Sequence, residues 1–304
     1  MANSPTFSVS EMDQIDADFR GEVGFYVEDI VTGVSNAHKA DVRFPTASAC
    51  KISVMVELFK QAHEGALALN DRRRLDDNIS THGSGVLSIL RDSPELTLLD
   101  YCRLMITVSD NIATDQLMGI VGNTNINATL DALGYSNTRT PVTMGRYHYR
   151  MVGLDDVPTN SANDKQYTER AKDPGIDYGR VSFTGSLENN VATPREMASL
   201  VKRLHAGEIV SGDASAQMIE ILKVARELRM IRKYLSPDVE VAQKSGSSGR
   251  IKANVGIVYL PTGPLIISAF ALATDNKEDG AEAIAQVAQL AVSAVSPTSL
   301  VEPE

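Results

Sequence analysis

The period of the apolar residues changes along this chain in an order that few architectures can accommodate. Residues 22–34 (EVGFYVEDIVTGV) read as a β-hairpin at a sheet edge, with Thr32-Gly33 near the turn. A long stretch of helical patterning follows. Near the C-terminus the period returns to that of strands, at 239–243, 253–260 and 265–273. The last two are joined by Pro261-Thr262-Gly263-Pro264, which turns the chain back antiparallel. A final amphipathic helix is expected from Glu278 to about Ser293. Strands from both ends of the chain must therefore share one sheet. The expected fold class is α/β (α+β): an antiparallel sheet flanked by helices, with an all-helical lobe inserted.

Within the lobe, residues 48–62 are apolar with few breakers and predict a helix buried on most sides. Thr97 to Asp100 resembles a capping box that opens the next helix. Thr193-Pro194-Arg195-Glu196 is a fuller one, with Thr as N-cap, Pro at the first position and Glu at the third. Residues 145–190 are polar and lack periodicity, which predicts a long loop, and such loops are usually functional or disordered.

Charge excludes one class of partner. With 29 basic and 39 acidic residues the net charge is −10, and the longest basic run is Arg72-Arg73-Arg74. Nucleic-acid binding needs a concentrated basic face, so no nucleic-acid partner is expected. Apolar runs stay short of a membrane span, so no membrane partner is expected either. Residues 1–18 lack the basic and apolar regions of a secretory signal. The expectation is a cytoplasmic protein as written, periplasmic or secreted if a leader has been removed. Cys50 and Cys102 lack metal-site spacing and are expected to be two buried thiols.

Ser-x-x-Lys occurs twice, at Ser48–Lys51 and Ser199–Lys202. The second lies in an ordinary amphipathic helix, where Lys202 is expected to be a solvated face. The first follows Phe44-Pro45-Thr46-Ala47, where Pro45 disfavours helix before it. Ser48 is thus expected at a helix N-terminus, whose free N–H groups favour a developing oxyanion. Lys51 projects from the same face. Desolvated near another cation, it could lose its proton and accept one from the serine. Ser109-Asp110-Asn111 places three polar groups inside an apolar segment. Lys244-Ser245-Gly246 ends a predicted strand beside further small residues, leaving room for a substrate along the backbone.

This set of three motifs, in this order, resembles class A β-lactamases and penicillin-binding proteins. The contexts FPTASACK (44–51), LTLLDYCRLMITVSDNIATDQLM (96–118), ATPREMASLVKRL (192–204) and QKSGSSGRIKANVGIVY (243–259) are also similar, so the resemblance runs from about 22 to 293. It implies a β-lactamase/transpeptidase-like fold with the active site where sheet and helical lobe meet. It also implies a single catalytic domain over 1–304, with a sheet lobe from about 20–46 and 195–295 and a helical lobe from about 47–194. By resemblance Ser48 would be acylated, Lys51 would take its proton, and Ser109 would relay a proton to the leaving nitrogen. Asn111 would contact the substrate amide. Lys244 and Ser245 would hold a substrate carboxylate, with Gly246 beside them. Backbone N–H groups of Ser48 and Ser247 would form an oxyanion hole.

No metal or cofactor is called for, and the expected partner is a small-molecule β-lactam, or another amide or ester, taken by a monomer. Two other functions are open: an esterase or peptidase on a non-antibiotic substrate, and a sensor that is acylated and stays so. One element of the family is missing. Its Ω loop carries a glutamate, with asparagine four residues on, that activates the deacylating water. Between 145 and 190 the glutamates are Glu169 and Glu188, followed four residues later by Asp173 and Ala192. Glu188-Asn189-Asn190 is expected instead to form a turn leading to the Thr193 cap.

Overall fold

A computed structural model describes residues 7–90, 92–173, 175–275 and 279–301. Ten helices among the described residues are α1 (Val9–Asp18), α2 (Lys51–His63), α3 (Leu98–Thr107), α4 (Asn111–Val121), α5 (Asn123–Ala132), α6 (Met144–Met151), α7 (Asp164–Arg170), α8 (Pro194–His205), α9 (Gly212–Lys223) and α10 (Gly280–Val295). The strands are β1 (Gly21–Asp29), β2 (Ser35–His38), β3 (Phe44–Pro45), β4 (Arg72–Arg74), β5 (Glu95–Thr97), β6 (Val191–Ala192), β7 (Glu240–Ser248), β8 (Ile251–Leu260) and β9 (Gly263–Ala273). This is the α+β architecture expected from the order of periods.

Five strands form one antiparallel sheet in the order β2-β1-β9-β8-β7. The first long strand thus pairs with the last, Gly21 opposite Ala273. Period-two alternation divides the sheet's side chains between two cores. Val255, Ile257, Ile266 and Phe270 pack on one face, with α2, α3, α4, α8 and α9. Val258, Leu265, Ile267 and Ala269 pack toward α1 and α10. β8 and β9 turn at Pro261 and Thr262, with Leu260 opposite Gly263.

Several boundaries move from their expected places. The hairpin's second strand starts only at Ser35, after a turn over 30–34. α10 runs Gly280–Val295, and the expected start at Glu278 lies outside the described residues. Residues 145–190 are not one loop, because α6 and α7 lie in or across them. Thr143 caps α6, accepting from Arg146 N at 3.2 Å. Met144 and Tyr147 then bury against Ala47, Cys50 and Phe183. Those contacts come from distant parts of the chain, so the local pattern shows only a short stripe.

Both caps form. Thr97 accepts from Asp100 N at 3.0 Å, and Thr193 from Glu196 N at 3.2 Å. The Glu196 carboxylate, however, does not close a box. It accepts from Asn137 N at 3.0 Å and from the Thr138 hydroxyl at 2.6 Å, tying α8 to the turn after α5.

Candidate active site

Ser48 does not start an α-helix directly. It lies in a 3₁₀ turn, Ala47–Cys50, that runs into α2. Ala47 enters that turn at φ 43°, a left-handed conformation that costs a non-glycine residue about 1 kcal/mol or more. Neighbours over-determine it. Thr46 N and Thr46 Oγ1 both donate to Asn190 O, at 2.9 and 3.0 Å. β3 pairs with β6, Phe44 opposite Ala192. Glu188 itself is exposed, and Asn189 N donates to Ser186 O at 3.0 Å, so the turn closes over 186–189, slightly before the expected 188–190.

The second motif is the junction between α3 and α4. Ser109 also has a positive φ, 55°, and Asp110 caps α4, accepting from Ala113 N at 2.9 Å. The other Asp110 oxygen accepts from Val86 N and Leu87 N, at 2.6 and 2.9 Å, and so fixes the 80–87 loop beside the cleft. Asp110 is thus a brace. Ser109 and Asn111 face Lys51.

The third motif differs from expectation. Lys244-Ser245-Gly246 does not end a strand, because β7 continues to Ser248 through nine paired residues with β8. β7 is one of the sheet's two outer strands, so its other edge has no strand partner among the described residues. A Cβ on Gly246 would lie 2.1 Å from Thr46 O and 3.0 Å from Ser48 N. Only glycine permits this approach, which brings the backbone before Ser247 against the N–H of Ser48.

Lys51 and Lys244 converge on one hydroxyl. Lys51 Nζ donates to Ser109 O at 2.7 Å, Ser109 Oγ at 3.1 Å and Asn111 Oδ1 at 2.7 Å. Lys244 Nζ donates to Ser109 Oγ at 3.1 Å and Ser245 O at 2.7 Å. Both side chains are almost wholly buried, at 0% and 1% exposure. These acceptors are neutral, so no carboxylate contact offsets desolvation directly. Burial pulls Lys51 down to about 8, although Cys50, Asp115 and Asp110 nearby work against it. Lys244 is likewise held well below the ordinary lysine range, by burial and then by the Lys51 charge. Cys50 and Cys102 are free, buried thiols, raised by burial to about 11 and about 12.

Sequence reasoning missed Asp115, Ser84, His82 and His148. Asp115 stands one turn beyond Asn111 and accepts from Met144 N and Gly145 N, at 2.6 and 2.8 Å. It thereby holds the start of α6 against α4, and its helical offset from Asn111 was the available signal. Burial raises its carboxyl to about 6. Ser84 Oγ donates to Ser109 O at 2.7 Å. Among the described residues no group of three His, Cys, Asp or Glu side chains is arranged to hold a metal ion, and no helix is long and apolar enough to cross a membrane.

Fold and convergent side chains together define a serine hydrolase of the class A β-lactamase and penicillin-binding type. Residues 8–295 match the model of the Beta-lactamase enzyme family, and the chain belongs to that family. Beta-lactamase L2 of Stenotrophomonas maltophilia is 24% identical over 280 residues, covering 90% of this chain and 80% of that one. The imipenem-hydrolyzing β-lactamase of Enterobacter cloacae is 24% identical over 296 residues, covering 94% and 89%. Among solved structures, a β-lactamase from Sphaerobacter thermophilus superposes with TM-score 0.75 at 27% identity, over 97% of both chains. PBP-A superposes with TM-score 0.73 at 22% identity over 92% of both, a likeness of fold.

Proposed function

We propose that this chain, acting as a single catalytic unit, opens a β-lactam ring by forming an acyl-enzyme on Ser48. The observation that carries this reading is Lys51, three residues after Ser48, buried among neutral acceptors and drawn down to about 8. A lysine in that state is a neutral amine in about a tenth of molecules at pH 7 and about half at pH 8. Ser48 Oγ bonds to the lactam carbonyl carbon as its proton passes to Lys51. The backbone N–H groups of Ser48 and Ser247 receive the oxyanion. As the C–N bond breaks, Ser109 Oγ gives its proton to the nitrogen and is reprotonated by Lys51, 3.1 Å away. Lys244 and Ser245 on β7 take the substrate carboxylate, and Asn111 the side-chain amide.

Intact-mass analysis over time after adding a penicillin tests the reading. One acyl group per chain is expected, mapped to the peptide bearing Ser48, and absent from Ser48→Ala. An adduct on Ser109 or Ser199 instead would sink the assignment. Slow loss of the adduct signals turnover, whereas a permanent one signals a sensor. Faster reaction with p-nitrophenyl esters than with any penicillin or cephalosporin would favour the esterase.

A further inference from the structure

The 145–190 segment bears on the cleft through one carboxylate, that of Asp164 at the start of α7. Its Oδ2 accepts from Thr81 N and Thr81 Oγ1, at 2.6 and 2.9 Å. Its Oδ1 accepts from the Ser80 hydroxyl and from Tyr149 OH, the latter at 3.0 Å. His82 Nδ1 lies 2.6 Å from Ser80 Oγ and 3.2 Å from Asp164 Oδ1. Burial alone would raise the Asp164 carboxyl, but the bonds from Ser80, Thr81 and Tyr149 hold it below its ordinary value. It therefore remains an ionised acceptor. Tyr167, one turn further along α7, stacks on the His82 ring with centroids 3.9 Å apart. Residues 80–82 are thus clamped to α7.

The next residues of the same loop are fitted to the second motif. Ser84 Oγ donates to Ser109 O at 2.7 Å, and Ser84 O accepts from Asn111 N at 2.9 Å. A Cβ on Gly83 would stand 2.1 Å from Asn111 Nδ2, and one on Gly85 2.2 Å from Asp110 Oδ2. Residues 83–85 therefore lie directly against the motif. His148 of α6 backs them, its Cε1 3.1 Å from the point where the Gly83 Cβ would be. Asp110 holds the loop beyond this stretch, at Val86 and Leu87, and Asp164 holds it before, at Ser80 and Thr81. Gly83 and Ser84 are the span between two carboxylate anchors.

We propose that Asp164 is a positioning residue for acylation by β-lactams: by clamping 80–82 it seats Ser84 and Gly83 on Ser109 and Asn111. This rests on the acyl-enzyme reading above. Ser109 and Asn111 are the groups that a β-lactam needs and a simple activated ester does not. A lactam nitrogen must be protonated as it leaves, whereas p-nitrophenolate departs as a stable anion. An acetyl group also carries no side-chain amide for Asn111 to meet. Asp164 touches no reacting atom, so its influence runs through the loop alone.

Asp164→Asn keeps the shape of the side chain but turns an amide N–H₂ toward groups that donate. Acylation of Ser48 by a penicillin should slow by about 10- to 100-fold, the scale of a group held out of place. Acetylation by p-nitrophenyl acetate should stay within about twofold, because that substrate uses neither displaced group. A merely structural role would lower both alike. Thr81→Val removes one donor of the clamp and should show the same split to a smaller extent. Ser84→Ala should show it too, and the double variant with Asp164→Asn should lose less than the product of the single losses. Lys165→Ala, on the exposed side of α7, should change neither substrate. Amide hydrogen exchange without substrate should quicken at Thr81 and Asn111 in Asp164→Asn. Penicillin losses no larger than ester losses in folded Asp164→Asn and Thr81→Val, or unchanged exchange at Asn111, would overturn the proposal. Failure of the unaltered chain to form any adduct on Ser48 would overturn the acyl-enzyme reading instead, with exchange still reporting on the clamp.

Discussion

The same four-residue pattern occurs twice in this chain, and the two copies share almost nothing physically. Lys51 is fully buried, donates to neutral oxygens and is lowered to about 8. Lys202, on α8, is nearly half exposed and donates to Glu28 Oε1 at 2.6 Å, which raises its pKa. It is paired, rather than simply solvated as its helix suggested. Ser48 sits in a turn entered through a strained residue, whereas Ser199 shares a hydrogen bond with Tyr135 OH at 3.1 Å inside a regular helix. Spacing alone creates no chemistry. Desolvation without a carboxylate in direct contact does.

The sharpest way to break this contrast is to remove each lysine. If Lys51 is the base proposed for Ser48, Lys51→Ala should slow acylation by about 10²–10⁴. Lys202→Ala should leave acylation unchanged and cost about 0–1 kcal/mol of stability, as half-exposed ion pairs do. Comparable losses of acylation rate in the two variants would end the distinction.

Titration tests the same contrast with smaller effects and opposite signs. Acylation should rise about tenfold per pH unit below 8 and level off above it, as Lys51 deprotonates. The folded Lys51 value lies below the ordinary 10.5, so burying its charge costs stability in full below about pH 8. That cost fades as pH rises from about 8 to 10.5, so this group makes the fold more stable across the window. Lys202 has a raised folded value, so its contribution is complete below 10.5 and is lost as pH climbs through that raised value. Urea midpoints measured against pH for Lys51→Met and Lys202→Met would expose the two signs. A matching pH response would contradict the contrast.

The smallest of these effects separates the two buried lysines. Lys244→Ala should weaken substrates that bear a carboxylate by about 2 kcal/mol, roughly 30-fold in kcat/KM. Neutral esters should be affected less. Equal losses on both substrate types would show that Lys244 serves Ser109 alone.

The main features of the fold were legible because they depend on local period. The short apolar runs at 253–260 and 265–273 and the Thr193 cap each point to one element. β7 was cut short in the reading, since beyond Gln243 its residues are Lys, Ser and Gly, and its strand form comes from pairing with β8. The 145–190 segment was misread for a similar reason. The stripe on α6 spans two turns, and its partners Ala47, Cys50 and Phe183 are remote in sequence. The motif lysines and serines could be picked out by order. His82 and His148 could not, because their meeting depends on how the 80–87 loop and α6 fold over Asn111.

The pairing of β1 with β9 has a consequence for how the molecule is made. On the ribosome β1 emerges early and can pair with β2, but its other edge must wait for a strand synthesised near the end. Until then that edge is a template for misassembly, and closing so distant a pair is slow. The same delay applies to chemistry. Ser48 and Lys51 leave the exit tunnel long before Lys244, and Gly246 cannot seat against Thr46 until β7 has found β8. On the acyl-enzyme proposal a nascent chain is therefore unarmed, and Ser48 acquires its surroundings only in the last stage of biogenesis.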